Sequence, residues 1–385
     1  MAIPQLYTDS ATGATIRFED VINRITTSKY NPLYYHGALP QFFLWVLFLS
    51  GLLLFAYYIP TVDNAYSSPA LINAYTSVQY ITNTIPFGVV IRGIHRYAGD
   101  AMVLTIVLHA IRVWFTDRYR QYRIVQWLSG IVLFVLVLVI GQTGYYLVWD
   151  ERALILTRMT VAAFDALGGL GQPIKWWFLN GRSITDLTLS NFLFIHIGLS
   201  FSLLFFLWIH YVRMQRPVVT PPPVLNYILL AMVIVSVAIW PIHMEQPAAM
   251  ALHPTQFDID WFFLMPYALQ TIVPGWAYWL IVAILLAAAC AVPYFIKTAP
   301  VPTAEVVDTK CTGCSLCAKD CPFAAIEMVP APAGSRFKLL ATILPYRCSG
   351  CGVCVGACAF DAVDLADIQD ADVTARIKAL AAQSS

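Results

Sequence analysis

Phe87 to Trp114 reads FGVVIRGIHRYAGDAMVLTIVLHAIRVW. The run is long enough to cross a bilayer, which takes about 20 apolar residues, yet it carries His95 and His109 fourteen positions apart. In an α-helix that interval is a rise of about 21 Å and almost four whole turns, so both imidazoles face nearly the same way. His196 and His210 repeat the interval in a second apolar run, as do Gly37 and Gly51 around the first run and Gly130 and Gly144 in the third.

A histidine among lipid-spanning residues is rare, because a polar side chain there needs a partner or a cofactor. For any one of the four, a hydrogen-bonded core histidine is the plain reading. Two helices with matching histidine pairs can instead close on two planar cofactors stacked across the membrane, each held by one imidazole from each helix. Two bis-histidine haems fit this pattern, since imidazole is an established axial ligand and a saturated iron suits electron transfer. The glycines at the same interval offer flat backbone where a macrocycle edge comes close.

Composition supports a membrane body. Of the 385 residues 59% are hydrophobic and 12% charged, with a net charge of +1, too apolar for ordinary soluble domains. No concentrated basic face exists to neutralise phosphates, so nucleic acid is not an expected partner. Six apolar runs are placed near 41–60, 87–113, 124–147, 187–212, 221–241 and 275–296.

Arg17, Arg24 and Lys29 precede the first run; Arg118, Arg120 and Arg123 follow the second, Arg213 and Arg216 the fourth, and Lys297 the last. The opposite loops are poorer in bases, apart from the mixed segment 150–186. By the positive-inside rule both ends are cytoplasmic, in the cytoplasmic membrane of a prokaryote. Both histidine-bearing helices then run outside to inside, pairing His95 with His196 in the outer haem and His109 with His210 in the inner one. Arg92 and Arg112 stand three residues from histidines, where they either meet haem propionates or are helix-end arginines.

Eight of the nine cysteines lie between Cys311 and Cys358. Without a signal-peptide pattern in the first forty residues, metal ligation in a reducing compartment is expected over disulfides. Cys311, Cys314, Cys317 and Cys321 follow C-x2-C-x2-C-x3-C, with Pro322 next; Cys348, Cys351, Cys354 and Cys358 repeat it, with Ala359 in the proline position. Three thiolates on a tight loop reach three corners of an iron–sulfur cube while the fourth cysteine serves the other cluster. One 4Fe–4S cluster is therefore expected on Cys311, Cys314, Cys317 and Cys358, the other on Cys348, Cys351, Cys354 and Cys321. Isolated zinc sites do not suit paired runs of this kind.

YYIPTVDNAYSS, the opening stretch and TGYYLVWDERA together resemble the cytochrome b of cytochrome bc complexes, most of all the split photosynthetic form. The resemblance covers about 15–296, and the cysteine region resembles the bacterial two-cluster ferredoxin. It implies an all-α transmembrane bundle of six spans with a four-helix bis-haem core, followed by a small α+β ferredoxin-like domain. It also implies an outer quinol-oxidation pocket, an inner quinone pocket, other redox subunits and a homodimer. DIDWFFLMPYALQTIVP at 258–274 is similar to the family's Pro-Glu-Trp-Tyr quinol loop, so Asp260, Trp261 and Tyr145 are the expected quinol-site residues.

The sequence also departs from that pattern. Ile259 and Asp260 replace the proline and glutamate, and Val148 replaces another proline, so two rigid prolines are missing from the pocket walls. Tyr35 stands where the photosynthetic branch attaches an extra haem through cysteine, and no covalent haem is expected. Asp100 stands where relatives have a small hydroxyl residue; pairing with Arg96 or a partner, and a proton path, are both open.

The expected organisation is a cytoplasmic segment 1–40, a membrane domain 41–296, a linker 297–305, a ferredoxin domain 306–365 and a tail helix 366–385. AIEMVP and RFKLLATILPY are read as strands; 15–27 is either a surface amphipathic helix or a solvated segment. The whole is expected to move electrons between quinol or quinone, two b haems and two cytoplasmic clusters. The alternative is a membrane conduit linking a partner dehydrogenase or hydrogenase to a soluble cytoplasmic carrier.

Overall fold

A computed structural model describes residues 21–22, 24–26, 30–62, 73–115, 119, 123–212, 218–251, 260, 262–295, 303–348, 350 and 352–365. In a bilayer every backbone N–H and C=O must find a partner within the protein, and the long apolar runs meet that demand as helices: α1 (Ala38–Phe55), α3 (Gly88–Phe115), α4 (Ile124–Val148), α7 (Asp186–Tyr211) and α10 (Gly275–Phe295). These five are long and apolar enough to span a membrane. The sixth run becomes α8 (Pro223–Ile239), 17 residues long. The six runs expected from sequence are thus five long helices and one at the lower limit of spanning length.

The intervening loops hold structure that hydropathy alone did not signal. α2 (Ala74–Asn83) is started by a reciprocal capping box between Asn73 and Thr76, which satisfies two donors that a helix start leaves orphaned. α4 stops at Trp149, in the left-handed conformation, and the next residue starts a new helix: Asp150 accepts from the Ala153 N–H at the head of α5 (Glu151–Asp165). α6 (Gly171–Leu179) leads into α7, whose start is closed by a Thr185–Thr188 box. A short helix, α9 (Met265–Ile272), precedes α10.

α1 packs along α3 and α4 along α7, so each histidine-bearing helix lies beside a glycine-bearing one. α8 covers α3, where Gly93 meets Val237 so closely that a β-carbon would fall 2.6 Å from it. The core of this bundle is apolar, with Phe192, Leu154, Leu189 and Leu264 fully buried.

The cysteine region is a small unit of two antiparallel hairpin-like sheets. β1 (Ala304–Val306) pairs with β4 (Val363–Leu365), and β2 (Ile326–Pro330) with β3 (Leu339–Ile343). The two expected strands are present, and β1 opens inside the segment read as linker. α11 (Leu316–Asp320) and α12 (Val353–Gly356) each follow a residue in the left-handed region, Ser315 and Gly352. The tail 366–385, most of the linker and most of 15–27 lie outside the described residues.

Candidate haem and cluster sites

The histidines meet in the expected pairs. His95 and His196 have ring centroids 6.4 Å apart, and His109 and His210 have the same separation. An iron bonded to a ring nitrogen of each imidazole, at about 2 Å per bond, needs centroids roughly 6 Å apart. Both pairs fit a six-coordinate iron placed between them.

What lies behind each imidazole decides which nitrogen faces inward. Ser50 donates to the Val46 carbonyl and stands 3.0 Å from His95 Nδ1. Ser129 donates to Gln126 O and stands 3.0 Å from His210 Nδ1. Thr143 donates to Ile140 O and stands 3.0 Å from His196 Nδ1. With its proton spent on its own helix, each hydroxyl can only accept from the imidazole. That assigns the proton to Nδ1 and leaves the Nε2 lone pair free to bind a metal.

These three hydroxyls were missed in the sequence, though a signal was there: each immediately precedes one of the repeating glycines. The glycines themselves let the rings sit close. A β-carbon on Gly51 would lie 3.1 Å from His95 Cε1, and on Gly130 and Gly144 3.4 Å from the same atom of His210 and His196; at Gly37 the distance to His109 is 3.5 Å. The glycines therefore abut the imidazole edges. In the fourth place of the series, before Gly37, stands His36, bonded to Leu33 O. Burial and then the Arg112 charge hold its imidazole down to about 4.

Of the two arginines, Arg92 donates to Thr82 Oγ1 at 3.3 Å, and Arg112 lies 5.9 Å over the Tyr34 ring. Tyr145 and Asp260 come together with a third group, Arg96. Asp260 Oδ2 accepts from Tyr145 and from Arg96, the latter at 3.0 Å, while Oδ1 accepts from the backbone N–H groups of Phe262, Phe263 and Leu264. Five donors thus converge on one carboxylate. Arg96 also pairs with Asp100, one helical turn on; of the two readings of Asp100, the structure shows the Arg96 pair. Phe263 packs directly against Gly141: a β-carbon there would sit 2.0 Å from the ring. Trp261 lies outside the described residues.

In the cysteine region two cavities sort the sulfurs. One is lined by Cys311, Cys314, Cys317 and Cys358. The other is lined by Cys321, Cys348 and Cys354; Cys351 lies outside the described residues. The last cysteine of each motif borders the other motif's cavity. Among the described residues no three potential ligands converge closely enough for a single metal ion. The Ala325 and Ala362 N–H groups donate to Cys321 and Cys358 Sγ, each at 3.3 Å. Burial first, then neighbouring thiols, push the Cys317 thiol above its ordinary range, so metal binding there must displace a proton. Gly313, at φ +69°, allows the first loop to turn against Leu339 O, where a β-carbon would fall 2.3 Å away.

The family model described as cytochrome b/b6/petB matches residues 21–217, just over half of the chain. The chain belongs to the cytochrome b family. Residues 310–362 match the 4Fe–4S dicluster domain. Among relatives, the chain is 28% identical over 225 residues to the menaquinol:cytochrome c reductase cytochrome b subunit of Geobacillus thermodenitrificans, covering 56% of this chain and 96% of the relative. It is 29% identical over 205 residues to cytochrome b6 of Mastigocladus laminosus, covering 53% of this chain and 91% of that one. A solved structure titled Hyperthermophilic respiratory Complex III shares the fold at a TM-score of 0.55 and 19% identity, covering 74% of this chain and 82% of that one. For this membrane cytochrome b the family implies haem b, and the C-terminal domain implies iron–sulfur clusters.

Proposed function

We propose that this cytochrome b is the electron-transfer core of a quinone-linked membrane oxidoreductase, with two b haems and two 4Fe–4S clusters in one chain. His95 and His196 hold the outer haem, His109 and His210 the inner one. Cys311, Cys314, Cys317 and Cys358 hold one cluster, and Cys348, Cys351, Cys354 and Cys321 the other. The haems and clusters supply one-electron chemistry; the chain's own residues fix tautomers, spacing and dielectric around them. The chain sits in a prokaryotic cytoplasmic membrane with the clusters on the cytoplasmic side, and acts with other redox subunits. The observation that carries this reading is the pair of histidine couples at equal separation, each backed by a hydroxyl that frees the inward nitrogen.

Quinol oxidation belongs in this reading to the site of Asp260, Trp261 and Tyr145. One observation favours the conduit alternative instead: the Asp260 carboxylate already receives five hydrogen bonds, so taking a quinol proton there means giving up donors, Arg96 among them. Asp260→Asn separates the two. If the site is catalytic, quinol-dependent haem reduction is lost while both haem spectra persist; unchanged reduction supports the conduit.

A further inference from the structure

The two clusters are not equivalent with respect to the membrane. Arg123, the residue before α4, lies with its guanidinium 3.7 Å from the Phe323 ring centroid. Phe323 is buried, and it lines the cavity of Cys321, Cys348 and Cys354, not the other one. On the membrane side, Ser129, which backs His210, lies six residues along the same helix from Arg123, a rise of about 9 Å. The foot of that helix is braced: Trp127 Nε1 donates to Ala289 O of α10 at 2.8 Å, and α10 is the helix whose chain continues into the cysteine region.

We propose that the second-motif cluster is the one next to the inner haem, with the Arg123–Phe323 contact fixing it there, and that the first-motif cluster is the distal terminus. One electron crosses this junction at a time. The proximal cluster gains what the inner haem iron loses, or the reverse, and no bond is made or broken. Reduction adds a negative charge to a cluster already carrying four thiolates. A nearby guanidinium favours that state, so Arg123 is a positioning residue that also raises the proximal cluster's potential.

The inference rests on the ligand assignments proposed above. If those are wrong, a haem or cluster spectrum is missing from the unmodified protein before any variant is compared. The test is a redox titration of the full-length protein, clusters by low-temperature electron paramagnetic resonance and haems optically, with Cys314→Ser marking the first-motif signal. Arg123→Gln should lower the potential of the second-motif cluster and leave the first-motif cluster unmoved, while Arg123→Lys keeps the original value. Phe323→Leu, which keeps an apolar filler but removes the π face, should slow haem–cluster exchange with both cluster signals intact. A shift of the first-motif cluster instead reverses the order, and no shift with unslowed exchange removes the junction; either result overturns the proposal.

Discussion

Substituting the four repeating glycines by alanine should damage the two haem sites unequally. At Gly51 the new methyl would stand 3.1 Å from His95 Cε1, tighter than ordinary carbon contact; at Gly37 the distance to His109 is 3.5 Å, which is ordinary contact. His95 cannot simply retreat, because its Nδ1 is tied to Ser50 on the same helix as Gly51. Overpacking a filled site costs about 1–3 kcal/mol, which is about 5- to 150-fold in an equilibrium constant. Gly51→Ala should therefore weaken outer-haem retention within that range, and Gly37→Ala should leave the inner haem nearly unchanged. Haem content and reduced-minus-oxidised spectra of the purified variants, followed during titration with a competing haem scavenger, read this out. Loss at Gly37→Ala equal to or greater than at Gly51→Ala would refute the claim that these glycines act by seating the imidazoles.

Thr143→Val keeps the shape but removes one of two acceptors at His196 Nδ1, leaving the Ile140 carbonyl at 3.0 Å; full support of this kind is typically worth about 10- to 100-fold in metal affinity, so equilibrium haem binding should weaken by no more than about tenfold, with Thr143→Ser restoring it. Gly141→Ala should push Phe263 off α4 and unseat the Asp260 loop, abolishing quinol-dependent haem reduction while both haem spectra survive. Removing iron with chelator and oxidant should melt the cysteine region selectively, since four of its buried core positions are cysteines and so small a unit needs a staple; hydrogen exchange should show β2 and β3 losing protection while the membrane helices keep theirs.

Interval arithmetic made the histidine pairing legible because a helix converts sequence spacing directly into direction. Residues fourteen apart stay in line whatever the helix packs against, so both histidine pairs and all four glycines could be placed before any coordinates. The cysteine spacing was legible for the same reason: a loop closing on a cube leaves little freedom. The hydroxyls behind the histidines were not read, because serine and threonine in a helix ordinarily bond to their own backbone and only the packed neighbour shows the free lone pair. Asp260 looked like a base in sequence, but its five donors come from α3, α4 and the loop itself, an assembly no local pattern announces. The Arg123–Phe323 contact joins positions two hundred residues apart and had no periodicity to give it away.

In the proposed function one chain holds a continuous redox path from outer haem to cytoplasmic clusters. Rapid mixing of the purified, fully oxidised protein with less than one equivalent of a soluble one-electron reductant, without mediators, tests it directly: optical spectra follow the haems and freeze-quench electron paramagnetic resonance follows the clusters. Two haems and two four-iron clusters per chain should redistribute the electrons among themselves at a rate independent of protein concentration. Haems and clusters that equilibrate only when a mediator is added, or at a rate set by collisions between molecules, would contradict it.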